Sequence, residues 1–400
     1  MSGDRDLAAV FLRWTWWRAV LHNGWWLVTS AYLVVDADLS PSQLVLIGVA
    51  QGLVALAFEI PAGVVADTIG RRWSLVVSHA LMGTAMLATG LVTGYGPLVA
   101  TQMLWGVSWT FASGADVAWI TDELDDRARI SVVLVRSGRA QLTGAATGIV
   151  GVGALGWLLG RSTAMVLAGA AMLLLGLYVV VRFRERRFVP ARTRRWSASW
   201  SILARGTVLV RRSRAILVVL AATFLVNGAW VAFGRMQPRL LVDVGLPTDP
   251  VLWFTGLGFL TLLVGAAALC VVEPHIDTAG AAARGYVVAC VAGALGAVAL
   301  AAAAEEVGAS AAILVVAGIA MPLTRTIGTI WVNRRTSAEV RATVHSFLAQ
   351  AEYVGEIVCG LAIAAVARLA GPPQALAGCA ALFALTAVLV RRLGASVEGA

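Results

Sequence analysis

The stretch AQAEYVGEIV places Glu352 and Glu356 one helical turn apart in an otherwise apolar run. An i,i+4 spacing puts both carboxylates on one face of a helix. Like charges that close repel, so one of the two can hold a proton while its neighbour stays ionised. Arg325, in the apolar run before, is the available counter-charge. A static pair between Arg325 and one glutamate is the alternative to proton transfer. Glu59 and Asp116 are further acids within apolar runs, with Arg136 and Arg139 as their expected partners.

Aromatic residues make a second pattern. The chain has 15 Trp, and Trp105, Trp109 and Asp116 follow one another at helical spacing. His22, Asn23, Trp25 and Trp26 fall together in HNGWW, and Asn227 and Trp230 fall together in VNGAW. Flat apolar surfaces with a few polar groups suit a bulky amphiphilic small molecule. Packing against lipid or neighbouring helices is the alternative for each Trp, and a hydrogen-bonded structural role is the alternative for His22. Trp14, Trp73, Trp157 and Trp253 lie near the ends of apolar runs and read as interfacial anchors.

The elements that carry these residues follow from composition. The chain is 59% hydrophobic and 13% charged, with mean hydropathy +0.83; a soluble domain is about 25% charged. Such a chain is all-α and polytopic, because a helix crossing a bilayer needs about 20 mostly apolar residues. Twelve such runs lie near 9–34, 43–66, 74–93, 97–120, 132–157, 163–182, 215–241, 250–272, 286–304, 310–333, 342–367 and 373–391. Ionisable groups at mid-membrane cost about 2.5–3.5 kcal/mol on insertion scales, which makes the acids above functional candidates. All 31 basic residues are Arg; 20 fall in segments on one side, while only Arg161 and Arg368 fall in loops on the other. The positive-inside rule then puts both termini in the cytoplasm. This distribution, and not nucleic-acid binding, accounts for the net charge of +9. The four cysteines all lie in apolar runs without C-x-x-C spacing, so buried free thiols are expected, with no metal site and no disulfide framework.

The organisation is a six-span half over 1–183, a basic cytoplasmic linker over 184–213, and a second six-span half over 214–400. From Ser197 the linker has an amphipathic pattern that suits an anionic membrane surface, with a solvated linker as the alternative. The halves look duplicated. HNGWW and VNGAW, DTIG and DTAG, and RSGRAQ and HSFLAQ recur in the same order at offsets of 204, 210 and 209.

The segment GVVADTIGRR joins the second and third spans. It fills every position of G-x-x-x-D-x-x-G-[RK]-[RK] with Gly63, Asp67, Gly70, Arg71 and Arg72. With twelve spans and a half-length repeat, the chain resembles the major facilitator superfamily over its whole length. SGADVAWITDEL looks like the fourth span of the family's bacterial drug-efflux members. Two features depart from their pattern: the fifth span lacks the antiporter proline, and Gln102 stands where a basic residue is common. The resemblance implies the family fold, two parallel six-helix repeats with helices 1, 4, 7 and 10 lining a central cavity. It also implies a gating latch of Gly63, Asp67, Gly70, Arg71 and Arg72, with Asp116, Asp122 or Glu123 as acidic partners of the arginines. Gly63 would allow close approach of the eleventh span, and Asp67 would meet that span's N-terminal end.

The expected activity is alternating-access export of a drug-like or natural-product molecule in exchange for protons, by a monomer in a bacterial plasma membrane. A proton gradient, and no bound cofactor, would drive it. Uptake of a small metabolite by symport or facilitated diffusion is the rival within transport. A membrane enzyme has no support from HExxH, P-loop or nucleophile–base motifs, and a non-transporting sensor is disfavoured by the intramembrane acids.

Overall fold

The computed structural model describes residues 2–124, 126–188, 214–276, 279–335 and 338–398. Among them there are fourteen α-helices, one short 3-10 helix, one π-helix and no strand. The helices are α1 (Ser2–Val35), α2 (Pro41–Thr68), α3 (Arg71–Thr89), α4 (Tyr95–Ala112), α5 (Ala115–Leu124), α6 (Arg127–Leu159) and α7 (Arg161–Arg182). They continue with α8 (Arg214–Val244), α9 (Pro250–Val272), α10 (Ala279–Ala302), α11 (Glu306–Ile313), α12 (Met321–Arg335), α13 (Ala338–Leu369) and α14 (Pro372–Glu398). Among the described residues, eight helical stretches are long and apolar enough to cross a membrane. Each of the twelve spans read from the sequence coincides with one helix or with a broken pair, as lipid demands of a backbone with no water to bond to. The linker's amphipathic segment and Asp277 of the second DTAG copy lie outside the described residues.

Local chemistry sets the helix ends. Ser40, Pro41 and Gln43 form a capping box at the start of α2: Ser40 N–H donates to Gln43 Oε1 at 2.9 Å. Asp249 and Pro250 cap α9 more simply, without the reciprocal bond: Val251 N–H donates to Asp249 Oδ1 at 2.8 Å. The fourth span is not continuous. Ser113 ends α4 and Gly114, at φ +72°, turns the chain before α5. The tenth span is distorted at a corresponding place, with a π-helix over Leu314–Ala320 just before Pro322. Pro322 has no N–H to give to the Gly318 carbonyl.

The chain forms two compact units. The first comprises Met1–Asp38, Val54–Trp196 and Thr248–Phe259; the second comprises Leu39–Leu53, Ser197–Pro247 and Leu260–Ala400. In the first, α1 packs on α6 through small residues. A Cβ at Gly24 would strike the Gly148 carbonyl, and one at Gly148 would strike the Val20 carbonyl. In the second, α8 packs on α13 in the same way: Gly228 meets the Gly355 carbonyl and Gly355 meets the Phe224 carbonyl. The offsets of 204 and 207 between these pairs reproduce the duplication seen in the sequence. Small residues let helix backbones approach closely in a membrane, where packing and not hydrophobic exclusion holds helices together.

Three expectations are corrected here. Trp14 is no interfacial anchor: it is 1% exposed and donates its indole N–H to His79 Nε2 at 3.1 Å. Cys270 is exposed, while Cys290, Cys359 and Cys379 are buried and free as expected. Arg71 and Arg72 lie in the first turn of α3 and not in a loop before it.

Candidate functional site

The α2–α3 turn needs explanation first, because two arginines at a helix N-terminus oppose the helix dipole. The first unit supplies the compensation. Arg71 pairs with Asp67 one turn back and lies 3.8 Å from Asp122. Glu185, just beyond α7, accepts the Arg71 N–H at 2.7 Å and the Arg72 N–H at 3.4 Å, capping α3. Gly70 sits at φ +139°, and a Cβ there would meet Glu185 Oε2 at 2.5 Å. Arg72 pairs with no acid among the described residues: its guanidinium donates to the Val180 carbonyl at 2.5 Å and lies over Trp73. Glu123 is likewise no partner of the arginines, since it accepts the Arg186 and Arg187 N–H groups at 2.7 and 3.0 Å. At Gly63 a Cβ would meet nothing within 4 Å. The glutamate cap was not foreseen, because its residue lies 114 positions from the turn it closes.

The aromatic residues form a connected face, also in the first unit. On α1, Trp14, Arg18, His22 and Trp26 recur every fourth residue, and on α4 Trp105 and Trp109 do the same. The His22 ring lies 5.5 Å from both Trp105 and Trp109 and 6.4 Å from Trp26. Trp105 lies 5.2 Å from Trp26 and 5.9 Å from Trp109. The Arg18 guanidinium sits 5.2 Å above the Trp109 ring, and its Nη1 is 3.4 Å from Asp116 Oδ2. Arg18 therefore replaces the expected Arg136 and Arg139, which are exposed on α6. Glu59 instead accepts from Ser113 Oγ at 3.5 Å. The helix break at Gly114 means that Asp116 does not continue the α4 stripe; packing through Arg18 brings it beside Trp109. Trp25 is core, not cavity wall, being fully buried with its N–H on the Met86 carbonyl. Asn23 donates to the Ala19 carbonyl of its own helix. His22 Nε2 and Trp105 Nε1 are buried without a hydrogen-bond partner. An unmade buried hydrogen bond costs about 1–3 kcal/mol.

The second unit is different in kind. Trp230 stacks on Phe233, at 6.5 Å. A cavity of about 70 Å³ is instead lined by both polar and apolar residues, Asn227, Tyr286, Thr324, Arg325 and Glu352 among the polar ones and Val219, Val226 and Met321 among the apolar ones. That is room for a few waters or the polar end of a larger molecule. Asn227 Nδ2 donates to the Glu352 carbonyl at 3.0 Å and ties α8 to α13. Arg325 acts on Glu352 as an attractive charge across this space. Glu356, one turn on, faces elsewhere. Its carboxyl carbon would lie 3.2 Å from a Cβ at Gly52 on α2. The charges it interacts with are Arg235, attractively, and Glu352, repulsively. Arg235 packs against Gly48, one turn before Gly52, and hydrogen-bonds Gln51. The two glutamates share a helix face but have different counter-charges, and sequence reasoning missed Arg235. Among the described residues no group of His, Cys, Asp and Glu could hold a metal ion.

Solved structures share the fold. Among solved structures, the nucleoside transporter NupG superposes with TM-score 0.75 at 15% identity, covering 98% of each chain. A POT family transporter in complex with 5-aminolevulinic acid gives 0.76 at 11%, covering 98% of this chain and 96% of that one. The peptide transporter POT in complex with sulfate gives 0.74 at 12%, covering 98% of each. No curated protein matches the chain. The family model of the Major Facilitator Superfamily matches residues 18–360. With its all-helical fold and the filled α2–α3 signature, the chain belongs to the major facilitator superfamily and is an integral membrane transporter, not an enzyme.

Proposed function

We propose that this transporter exports a bulky aromatic amphiphile in exchange for protons. It works by alternating access, as a monomer, in a bacterial plasma membrane with both termini cytoplasmic. The aromatic face of His22, Trp26, Trp105 and Trp109 carries the proposal, because it offers stacking area and few hydrogen-bonding groups. Glu352 and Glu356 supply the proton step: two carboxylates on adjacent turns, each with its own arginine, give the protein two charge states to alternate between. Asp67, Arg71 and Asp122 act as the gating latch, which must break and reform in each cycle. No cofactor is required beyond the gradient, and a membrane potential supplies about 2.3 kcal/mol per charge per 100 mV.

A second reading, uptake of a small metabolite, is favoured by the polar side chains of Asn227, Arg325 and Glu352 in the cavity of the second unit. The two are separated by expressing the gene in a drug-sensitive host. Raised tolerance to aromatic amphiphiles supports export. Unchanged tolerance together with faster uptake of labelled nucleosides or peptides supports the second reading.

A further inference from the structure

Arg18 lies midway along α1, which the sequence reads as the first span, and arginines within spans are rare without a role. It does two things at once. It pairs with Asp116, with only 15% and 18% of the two side chains exposed, and it covers the face of Trp109. A cation drawn to Trp109 would need that same ring face and that same carboxylate, and both are already taken by the guanidinium. An anion drawn to Arg18 would meet Asp116 beside it. The remaining surface is uncharged: Trp109 is 38% exposed, and Trp26 and Trp105 stand within 6 Å of one another.

We propose that Arg18 sets the charge specificity of this face. By neutralising Asp116 and capping Trp109, it makes the face formed by Trp26, Trp105 and Trp109 take neutral planar aromatic molecules and reject lipophilic cations. The proposal rests on the seating of substrate against Trp109 proposed above. Asp116 alone would point the opposite way, toward cationic ligands, so the arginine decides the outcome.

The test uses the full-length protein in micelles and three planar probes: neutral acridone, cationic N-methylacridinium and anionic 9-anthracenecarboxylate. Tryptophan quenching gives a Kd for each. Acridone should bind the parent tightest. Arg18→Met frees Asp116 and should tighten N-methylacridinium by about tenfold, the size of a well-desolvated cation contact. Asp116→Asn frees Arg18 and should tighten 9-anthracenecarboxylate by a similar factor. The double variant Arg18→Met/Asp116→Asn carries no charge there and should return to the parent's order. A parent that prefers the cation overturns the proposal, as do single variants that keep the parent's order. Should Arg18→Met fail to fold, Asp116→Asn decides: no gain for the anion overturns the proposal. Trp109→Ala keeps the two ideas apart. Weakened binding of whichever probes the parent binds upholds the seating whatever the charge order. Unchanged binding of all three overturns the seating, and the proposal with it.

Discussion

Replacing Gly70 with Ala should destabilise the α2–α3 turn for two separable reasons. The backbone at φ +139°, ψ +148° is open to glycine and strained for other residues, at about 1–3 kcal/mol. The new Cβ would also lie 2.5 Å from Glu185 Oε2, so the carboxylate that caps Arg71 and Arg72 must move. Losing a helix N-cap costs about 0.5–2 kcal/mol. Together these predict a loss of about 2–4 kcal/mol, read by equilibrium unfolding in mixed micelles. Glu185→Ala alone should lose about 1 kcal/mol, since it removes the cap and leaves the backbone unstrained. In that background Gly70→Ala adds only the strain, so the two losses should fall short of additive by about 1 kcal/mol. Strictly additive losses, or a Gly70→Ala protein within 0.5 kcal/mol of the parent (about the scatter expected of a surface change), would refute the proposed coupling between turn and cap.

Further outcomes follow from the same contacts. Gly148→Ala and Gly355→Ala drive a methyl into the Val20 and Phe224 carbonyls and should each abolish stable expression, whereas Gly151→Ala, with nothing within 4 Å, should fold like the parent when monitored by size-exclusion profile. Arg235→Met removes a hydrogen bond to Gln51 and the attractive charge at Glu356; it should lose about 1–3 kcal/mol, and Glu356→Gln in the same chain should recover part of that in micelle unfolding. Asp67→Asn should disturb Arg71 without unfolding the protein and shift the balance between conformations, as cysteine labelling of the two membrane faces would register; an unchanged labelling pattern speaks against the latch.

Much of the fold was legible because membrane helices announce themselves. Long apolar runs with polar breaks gave the spans, and the recurrence of Asn23 and Asn227, and of Gln141 and Gln350, gave the duplication. The α2–α3 turn was legible because its motif is local and fills a known pattern. What could not be read was pairing between distant segments. Arg136 and Arg139 are the partners expected of Asp116 from the sequence, but its partner is Arg18, brought over by the packing of α1 against α5. The four-residue recurrence of Trp14, Arg18, His22 and Trp26 did carry that signal, since it sets all four on one stripe of α1. Arg235 lay in an apolar run with no nearby acid, and only the crossing of α8 and α13 exposes its link to Glu356. The break in the fourth span had a cue in Ser113 and Gly114, which a search for unbroken runs passes over.

Proton coupling is the property to measure most directly. The protein should be reconstituted into proteoliposomes carrying an imposed pH gradient, with acridone fluorescence as the readout. Acridone should accumulate against its own gradient on the side from which protons leave, and an uncoupler should abolish the accumulation. Glu352→Gln/Glu356→Gln should bind acridone like the parent, yet never accumulate it. Uphill accumulation by the doubly neutralised protein, or accumulation by the parent that ignores the pH gradient, would contradict the proton-coupled export proposed for this chain.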